Sequence, residues 1–238
     1  MKIDSPHYEG RDLEVLADMP KYYEWILEHF RPYLKGAAAE FGAGIGTISK
    51  RILPHVETLD LYEPSKNLVP QLEKKFQADP AVRVFSQTIE KSLQDRGEET
   101  YDVITLVNVL EHIDDDRSEL ENLNKLIKTD GYLLLYVPAM PGLYSRLDEY
   151  HGHFRRYTKT LLEQRLIEAR FRIVDIRYMD VLGIFPWFII NTLLGKTSFN
   201  PKITSFYDTY GVPLTKSLEN FFSPPCGKNL IAIARKNS

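Results

Sequence analysis

The chain has 238 residues, 43% of them hydrophobic and 26% charged, with 33 acidic against 30 basic side chains and a net charge of -3. That size and composition suit one α/β domain with a full core, and the missing basic field argues against nucleic acid as a partner. The single cysteine, Cys226, can form no internal disulfide, and the opening MKIDSPHYEGRD lacks the apolar stretch of a secretory leader, so a cytoplasmic setting is expected.

Pro20 to Leu34 carries Tyr22, Ile26, Phe30 and Leu34 at helical spacing, with Pro20 suited to a first turn and Gly36 just past the end. It predicts an N-terminal helical segment, residues 1–36, laid on the domain. Ala37 to Phe41 has weak strand propensity, but Gly36 before it and GAGIG after it bracket a short buried strand. A helix from Ile45 to Leu53, a strand Val56 to Tyr62, a helix Lys66 to Gln77 and a strand Val82 to Phe85 follow. Tyr101 to Val107 (YDVITLV) is apolar on both faces, as a central parallel strand is. Arg117 to Lys128 puts Leu120, Leu123 and Ile127 on one helical face, is expected to close at Gly131, and delivers a strand Tyr132 to Val137. After Pro138 come a loop Ala139 to Tyr157, a helix begun by Thr158 or by the pair Thr160 and Glu163, and a strand Arg172 to Tyr178. Residues 181–228 are rich in aromatics, proline and glycine, and Asn229 to Arg235 reads as a last strand. The expected class is therefore α/β: a doubly wound, mainly parallel, Rossmann-like seven-stranded sheet in a single domain spanning 1–238. Its core is 37–180 plus 229–238, and the aromatic-rich insertion 181–228 before the last strand forms a lid. The longest apolar run, Val181 to Leu194, is broken by Gly183 and Pro186 and is too short to span a bilayer.

Gly42, Gly44 and Gly46 lie between a strand and a helix, where the missing β-carbons let the backbone turn sharply and approach a ligand, with Ala43 inside the turn. Glu63 follows about 20 residues later at a strand end, placed to accept both hydroxyls of a ribose; Asp60, in mid-strand, reads better as a partly buried structural acid. Nicotinamide dinucleotides use similar geometry, but their fingerprint wants its third glycine where this chain has Thr47.

With Glu40 ahead of the glycines, EFGAGIG resembles the first motif of class I S-adenosylmethionine-dependent methyltransferases. Three further segments match in order: YEPS around Glu63, YDVITLVNVLEHI from Tyr101 to Ile113, and DGYLLLYVP from Asp130 to Pro138. The resemblance implies that Glu40 and the turn at Gly42, Ala43, Gly44 and Gly46 hold the amino-acid end of S-adenosyl-L-methionine. It implies that Glu63 with Pro64 holds the ribose, and that Thr88 and Ile89 meet the adenine where many members carry an acid. Asn108, Val109 and Leu110 would face the methionine portion near the reactive methyl. His112 reads as a capping or packing histidine ahead of a base, and the run Asp114 to Asp116 as a helix cap ahead of a metal site.

The expected reaction is methyl transfer to an oxygen or nitrogen of a small, anionic or amphiphilic acceptor. LDEYHGHFRRYT, Leu147 to Thr158, follows the fifth strand and hangs over the cofactor. It resembles a segment of bacterial small-molecule methyltransferases. His153 is the candidate base and Tyr157 a second catalytic candidate, a polar-tipped wall. Tyr144, His153, Arg155 and Arg156 are assigned to the acceptor, with the arginines holding an anionic group unless they merely pair with Asp148 and Glu149. His151 and His153 lack a third metal ligand in the sequence, so no metal is expected. Ile184, Phe185, Trp187 and Phe188 read as part of a lid with its own small core; a lipid-like acceptor or a membrane-surface contact through 181–194 is the sharper alternative. Two rival functions remain: an NAD-dependent oxidoreductase, whose turn would accept a pyrophosphate, and a non-catalytic S-adenosylmethionine-binding module without an acceptor pocket. The oligomeric state is left open.

Overall fold

The β-branched and apolar runs assemble into one sheet because their two faces are both greasy and each needs cover. In the computed structural model, which describes residue 8 and residues 12–237, seven strands lie in the order β3-β2-β1-β4-β5-β7-β6. They are β1 (Ala37–Phe41), β2 (Thr58–Tyr62), β3 (Val82–Phe85), β4 (Tyr101–Val107), β5 (Ile127–Pro138), β6 (Phe171–Met179) and β7 (Asn229–Lys236). Pairing is parallel from β3 across to β5, and β7 runs antiparallel between β5 and β6. The winding reverses between β1 and β4, so the carboxyl ends of those neighbours open the cleft where doubly wound sheets bind ligands.

Alternation along β1 shows why its alanines suffice. Ala38 packs into one apolar layer with Trp25, Phe30 and Ile52, while Ala39 packs into the opposite layer with Leu106, Leu120 and Leu123. Small side chains let helices on both faces approach the sheet closely. Leu120, Leu123 and Leu126 of the helix Asp116–Leu126 are fully buried, each contributing about 1.5–3 kcal/mol relative to exposure.

Several elements depart from expectation. The helix after β1 shrinks to Ser49–Ile52, because Gly42, Gly44 and Gly46 have φ of 71°, 56° and 74° and prolong the turn. Gly131 is not a helix cap: Ile127 already begins β5, and a Cβ at Gly131 would stand 2.8 Å from the Asp102 carbonyl oxygen of β4. The loop after Pro138 contains a helix, Arg146–His151, closed by Ser145 and Asp148 as reciprocal caps and by left-handed Gly152. A further helix, Ile89–Arg96, has Thr88 as its cap. Thr158, rather than Thr160 with Glu163, caps the helix Lys159–Glu168.

The insertion is helical throughout most of its length, from Ile184–Trp187 and Phe188–Leu193 to Pro201–Phe206, Tyr207–Gly211 and Val212–Phe221. Its anchorage is polar. The helix Pro20–Phe30 has no cap from its own Met19, and Asp208 of the insertion supplies one, accepting from Tyr22 N at 2.9 Å and Lys21 N at 3.3 Å. Among the described residues no helix is long and apolar enough to cross a membrane.

Candidate active site

The carboxyl ends of β1, β2 and β4, the N-terminal helices and the insertion enclose a cleft of about 1100 Å³. This lies at the upper edge of the range for a small-molecule site, leaving room for two ligands side by side.

One half is built on the glycine turn. Glu63 is buried at the end of β2, and its carboxylate accepts from Gly44 N and Ser65 N, both at 2.8 Å. It therefore fixes the turn while its remaining lone pairs face the cleft. Gly42 is held close by its surroundings: a Cβ there would meet Val109 Cγ2 at 2.4 Å. Gly42, Ala43, Gly44, Pro64, Thr88 and Ile89 all line the cleft. Gly46 does not; it lies under Phe76 and Leu72, where a Cβ would come within 2.6 Å of the Phe76 ring. Asp60 is structural, buried and bonded to Arg83 at 2.7 Å and Tyr101 at 2.7 Å.

Glu40 stands at the end of β1 with 3% exposure and an Oε2 that has no partner. Burial pushes its carboxyl up to about 8, with the nearby Glu63 charge acting in the same direction. A buried carboxylate oxygen without a donor costs free energy unless a ligand supplies one, and Oε2 is such an oxygen among the described residues.

Asn108 closes β4 in the left-handed region at φ 53°, its N–H donating to the Tyr136 carbonyl at 2.8 Å, and it lines the cleft with Val109. Leu110 turns away into the core and is fully buried, so its side chain does not reach the ligand space.

The other half centres on His112 and His153, whose rings meet edge to face at 4.6 Å. His153 Nδ1 is hydrogen-bonded to Asp148 Oδ1 at 2.8 Å, which leaves Nε2 as its free ring nitrogen. Burial drops His112 to about 3, with His153 and His151 adding to the shift, so it is neutral. Beneath them Glu111 is fully buried with both carboxylate oxygens unpartnered, and burial raises it to about 7.

The arginines and tyrosines predicted for the acceptor are engaged elsewhere. Arg155 donates to the carbonyls of Ile113 and Asp114 at 2.6 Å each and pairs with Asp116, outside the cleft lining. Arg156 does line the cleft, but its Nε bonds Asp148 at 2.9 Å, its Nη1 reaches the Ala139 carbonyl at 3.1 Å, and it lies 4.4 Å from the Trp187 ring centre. Arg155 is thereby turned away from the cleft, and Arg156 is committed through Nε and Nη1 to Asp148 and Ala139. Tyr157 is fully buried, donates to Asp116 at 2.9 Å and lies outside the cleft lining, and burial lifts its phenol far above the ordinary range, so the structure places it away from the acceptor. Tyr144 bonds the His153 carbonyl at 2.6 Å and stays out of the cleft lining.

Trp187 of the expected lid and residues that the sequence did not assign to the site complete the enclosure. Tyr22 bonds Tyr136 at 2.6 Å and Asp180 at 3.0 Å, Asn229 donates to Tyr22 at 2.8 Å, and Lys228 pairs with Asp180 at 2.7 Å. Tyr207 also donates to Asp180, so this buried network ties the insertion to both the helix Pro20–Phe30 and the last strand. Trp187, Ile190, Leu194 and Phe199 give the insertion's side of the cleft its apolar wall. His151 pairs with Asp12 at 3.3 Å, joining the N-terminal cover to the far rim. Ser145 and Asp148, three apart, are the one visible sequence signal among these: a capping pair.

Comparison with known proteins agrees with this geometry. Residues 39–133 match the family model of a methyltransferase domain. A curated relative, the highly reducing polyketide synthase rstn3 of Aspergillus nomiae, is 28% identical over 174 residues, covering 63% of this chain and 7% of that much longer protein. Among solved structures, the N-methyltransferase NodS of Bradyrhizobium japonicum, in complex with S-adenosyl-L-homocysteine, superposes with a TM-score of 0.62 at 15% identity, covering 97% of this chain and 94% of that one. The 1,6-didemethyltoxoflavin N1-methyltransferase of Burkholderia thailandensis, with its substrate and S-adenosylhomocysteine, gives 0.62 at 17%, covering 98% and 85%. At those identities the likeness is one of fold.

Proposed function

We propose that this chain, which carries a methyltransferase-domain match over residues 39–133, is a class I S-adenosylmethionine-dependent methyltransferase that methylates an oxygen or nitrogen of a small amphiphilic acceptor. The observation that carries the reading is the pairing of two half-sites in one cleft: the unpartnered, buried Glu40 beside the glycine turn, and the histidine pair opposite. Glu40 and the turn amides suit the ammonium and carboxylate of the cofactor's amino-acid end, and Glu63 suits its ribose. When bound, S-adenosylmethionine supplies an electrophilic methyl on a sulfonium that leaves as a neutral thioether. The protein's work is then alignment, exclusion of water and disposal of the acceptor's proton.

The histidine end is where that proton leaves, since Asp148 fixes the His153 ring and keeps Nε2 available. Arg155 offers an anionic acceptor nothing, because it points away from the cleft, and Arg156 already carries the charge of Asp148. Apolar acceptor bodies are favoured, because Trp187, Ile190 and Leu194 wall the cleft while Phe185, Phe188 and Leu193 of the same helices stand exposed beside it. That face fits an acceptor with an apolar tail presented from a lipid surface.

Calorimetric titration with S-adenosylmethionine and with NAD, followed by assay of S-adenosylhomocysteine release against acceptors of graded chain length, tests the reading. Tight binding of the first ligand alone and turnover that improves with chain length are expected. His153→Ala should keep cofactor affinity and cut turnover roughly 100-fold. Binding of NAD in preference, or turnover indifferent to His153, overturns it.

A further inference from the structure

We infer that Glu111, His112 and His153 form a binding site for a divalent first-row transition ion at the acceptor end of the cleft. One ligand atom from each lies within 4.8 Å of the other two. Bonds of about 2.0–2.2 Å would draw them closer by about an ångström, within the reach of side-chain rotation. Two imidazoles and one carboxylate make a set suited to zinc, cobalt or ferrous ions, with further positions open to a ligand.

Three features separate this cluster from a chance meeting of polar groups. Glu111 is fully buried, yet neither carboxylate oxygen has a partner. A dication would satisfy both oxygens, which no hydrogen bond does among the described residues. The His153 imidazole is also held through one nitrogen, by Asp148 at 2.8 Å. Metal-ligating histidines are typically oriented this way, by a carboxylate or a backbone group on the ring nitrogen opposite the metal. Finally, His112 and His153 line the cleft, so the open side of the ion faces the acceptor space. The spacing of His151 and His153 suggested no such set; two of the three ligands, Glu111 and His112, come from the turn after β4, and His151 is turned to Asp12.

This rests on the reading of that end as the acceptor site, and it names the acceptor class: one offering a hydroxyl or enol oxygen. Coordination weakens the O–H bond. The proton passes to water, the freed oxygen pair forms the bond to the methyl carbon, and the carbon–sulfur pair returns to sulfur. With the ion in place Nε2 of His153 is a ligand, and the ion takes over the activation of the acceptor.

The test uses untagged full-length chain, stripped with a chelator and titrated with cobalt(II) chloride by visible ligand-field absorption and with zinc chloride by calorimetry. One ion per chain is expected. Glu111→Gln and His153→Asn should each weaken binding by at least about 100-fold, and Asp148→Asn, a positioning change, by about 10- to 100-fold. His151→Asn should leave it unchanged. S-adenosylmethionine affinity, read on the same variants, confirms that they are folded. No saturable binding by the parent, or binding that survives both Glu111→Gln and His153→Asn, overturns the inference. Metal binding without methyl transfer would instead count against the proposed function alone, and cofactor binding with turnover but no metal against the site alone.

Discussion

Replacing Glu40 by glutamine should flatten the pH dependence of stability and weaken the cofactor, and the size follows from the burial of this one side chain. Its carboxyl is raised from 4.5 in the unfolded chain to about 8 in the folded one. Between those values the folded state keeps a proton that the unfolded state has lost, so stability falls as pH rises and levels off above the folded value. At about 1.36 kcal/mol per pH unit the loss reaches about 3 kcal/mol between pH 4.5 and 7. For a chain of this length that corresponds to roughly 6–12 °C in Tm. Glu111 and Glu219, both raised to about 7, slope the same way, and His112, lowered to about 3, slopes oppositely. All three are present in the parent and in Glu40→Gln, so the difference between the two isolates Glu40. Thermal melts of both proteins without cofactor, from pH 5 to 8, should diverge with the variant gaining relative to the parent at the alkaline end. S-adenosylmethionine should then bind the variant more weakly by about 1.5–3 kcal/mol, the worth of a hydrogen bond to a charged group. Parallel melting curves, or unchanged affinity, would refute the assignment of this carboxylate to the cofactor's ammonium.

Gly42→Ala should damage the protein more than Gly44→Ala. Both residues are left-handed, which costs an L side chain about 1–2 kcal/mol, but the new Cβ meets Val109 at 2.4 Å in the first case and Leu13 only at 3.4 Å in the second. Cofactor titration of the pair checks the order, and the reverse order would contradict the packing described. Tyr157→Phe should cost about 1 kcal/mol of stability through the lost bond to Asp116 and leave turnover near the parental level; a turnover loss of 100-fold with intact folding would restore the tyrosine to the chemistry.

How much of the site could be read from the chain depends on how local each residue's task is. Thr88 and Thr158 act as helix caps within three residues of their partners, at Lys91 N and Leu161 N, so short-range chemistry sufficed to mark their positions as special, although Thr88 was read only as an adenine contact. The pair Arg155 and Arg156 shows the limit. Adjacent in sequence, they point to different sides, one to the turn after β4 and the other to Asp148 and Trp187. Their charge was legible, and so was Asp148 as a partner for Arg156; the turn after β4 as the partner of Arg155 was not. Tyr157 looked like a wall of the cleft because its segment follows the fifth strand, yet the bridge between Ala139 and Tyr157 holds it beside the sheet, where it is buried.

The sequence by itself determined the seven strands, their interruption before the last one and the glycine turn with its acids, because strand periodicity, turn residues and missing β-carbons act over a few neighbours. Only the tertiary structure decided which polar groups meet. Glu111 sits beside His153, and Asp148 holds both that histidine and Arg156. Asp208 caps a helix 186 residues away, and Asp180 gathers Tyr22, Tyr207 and Lys228 under the cleft. These contacts depend on the order in which strands are laid side by side, which brings distant turns together at one edge of the sheet. No local pattern encodes that order, so the acceptor half of the site became visible only once the sheet was assembled.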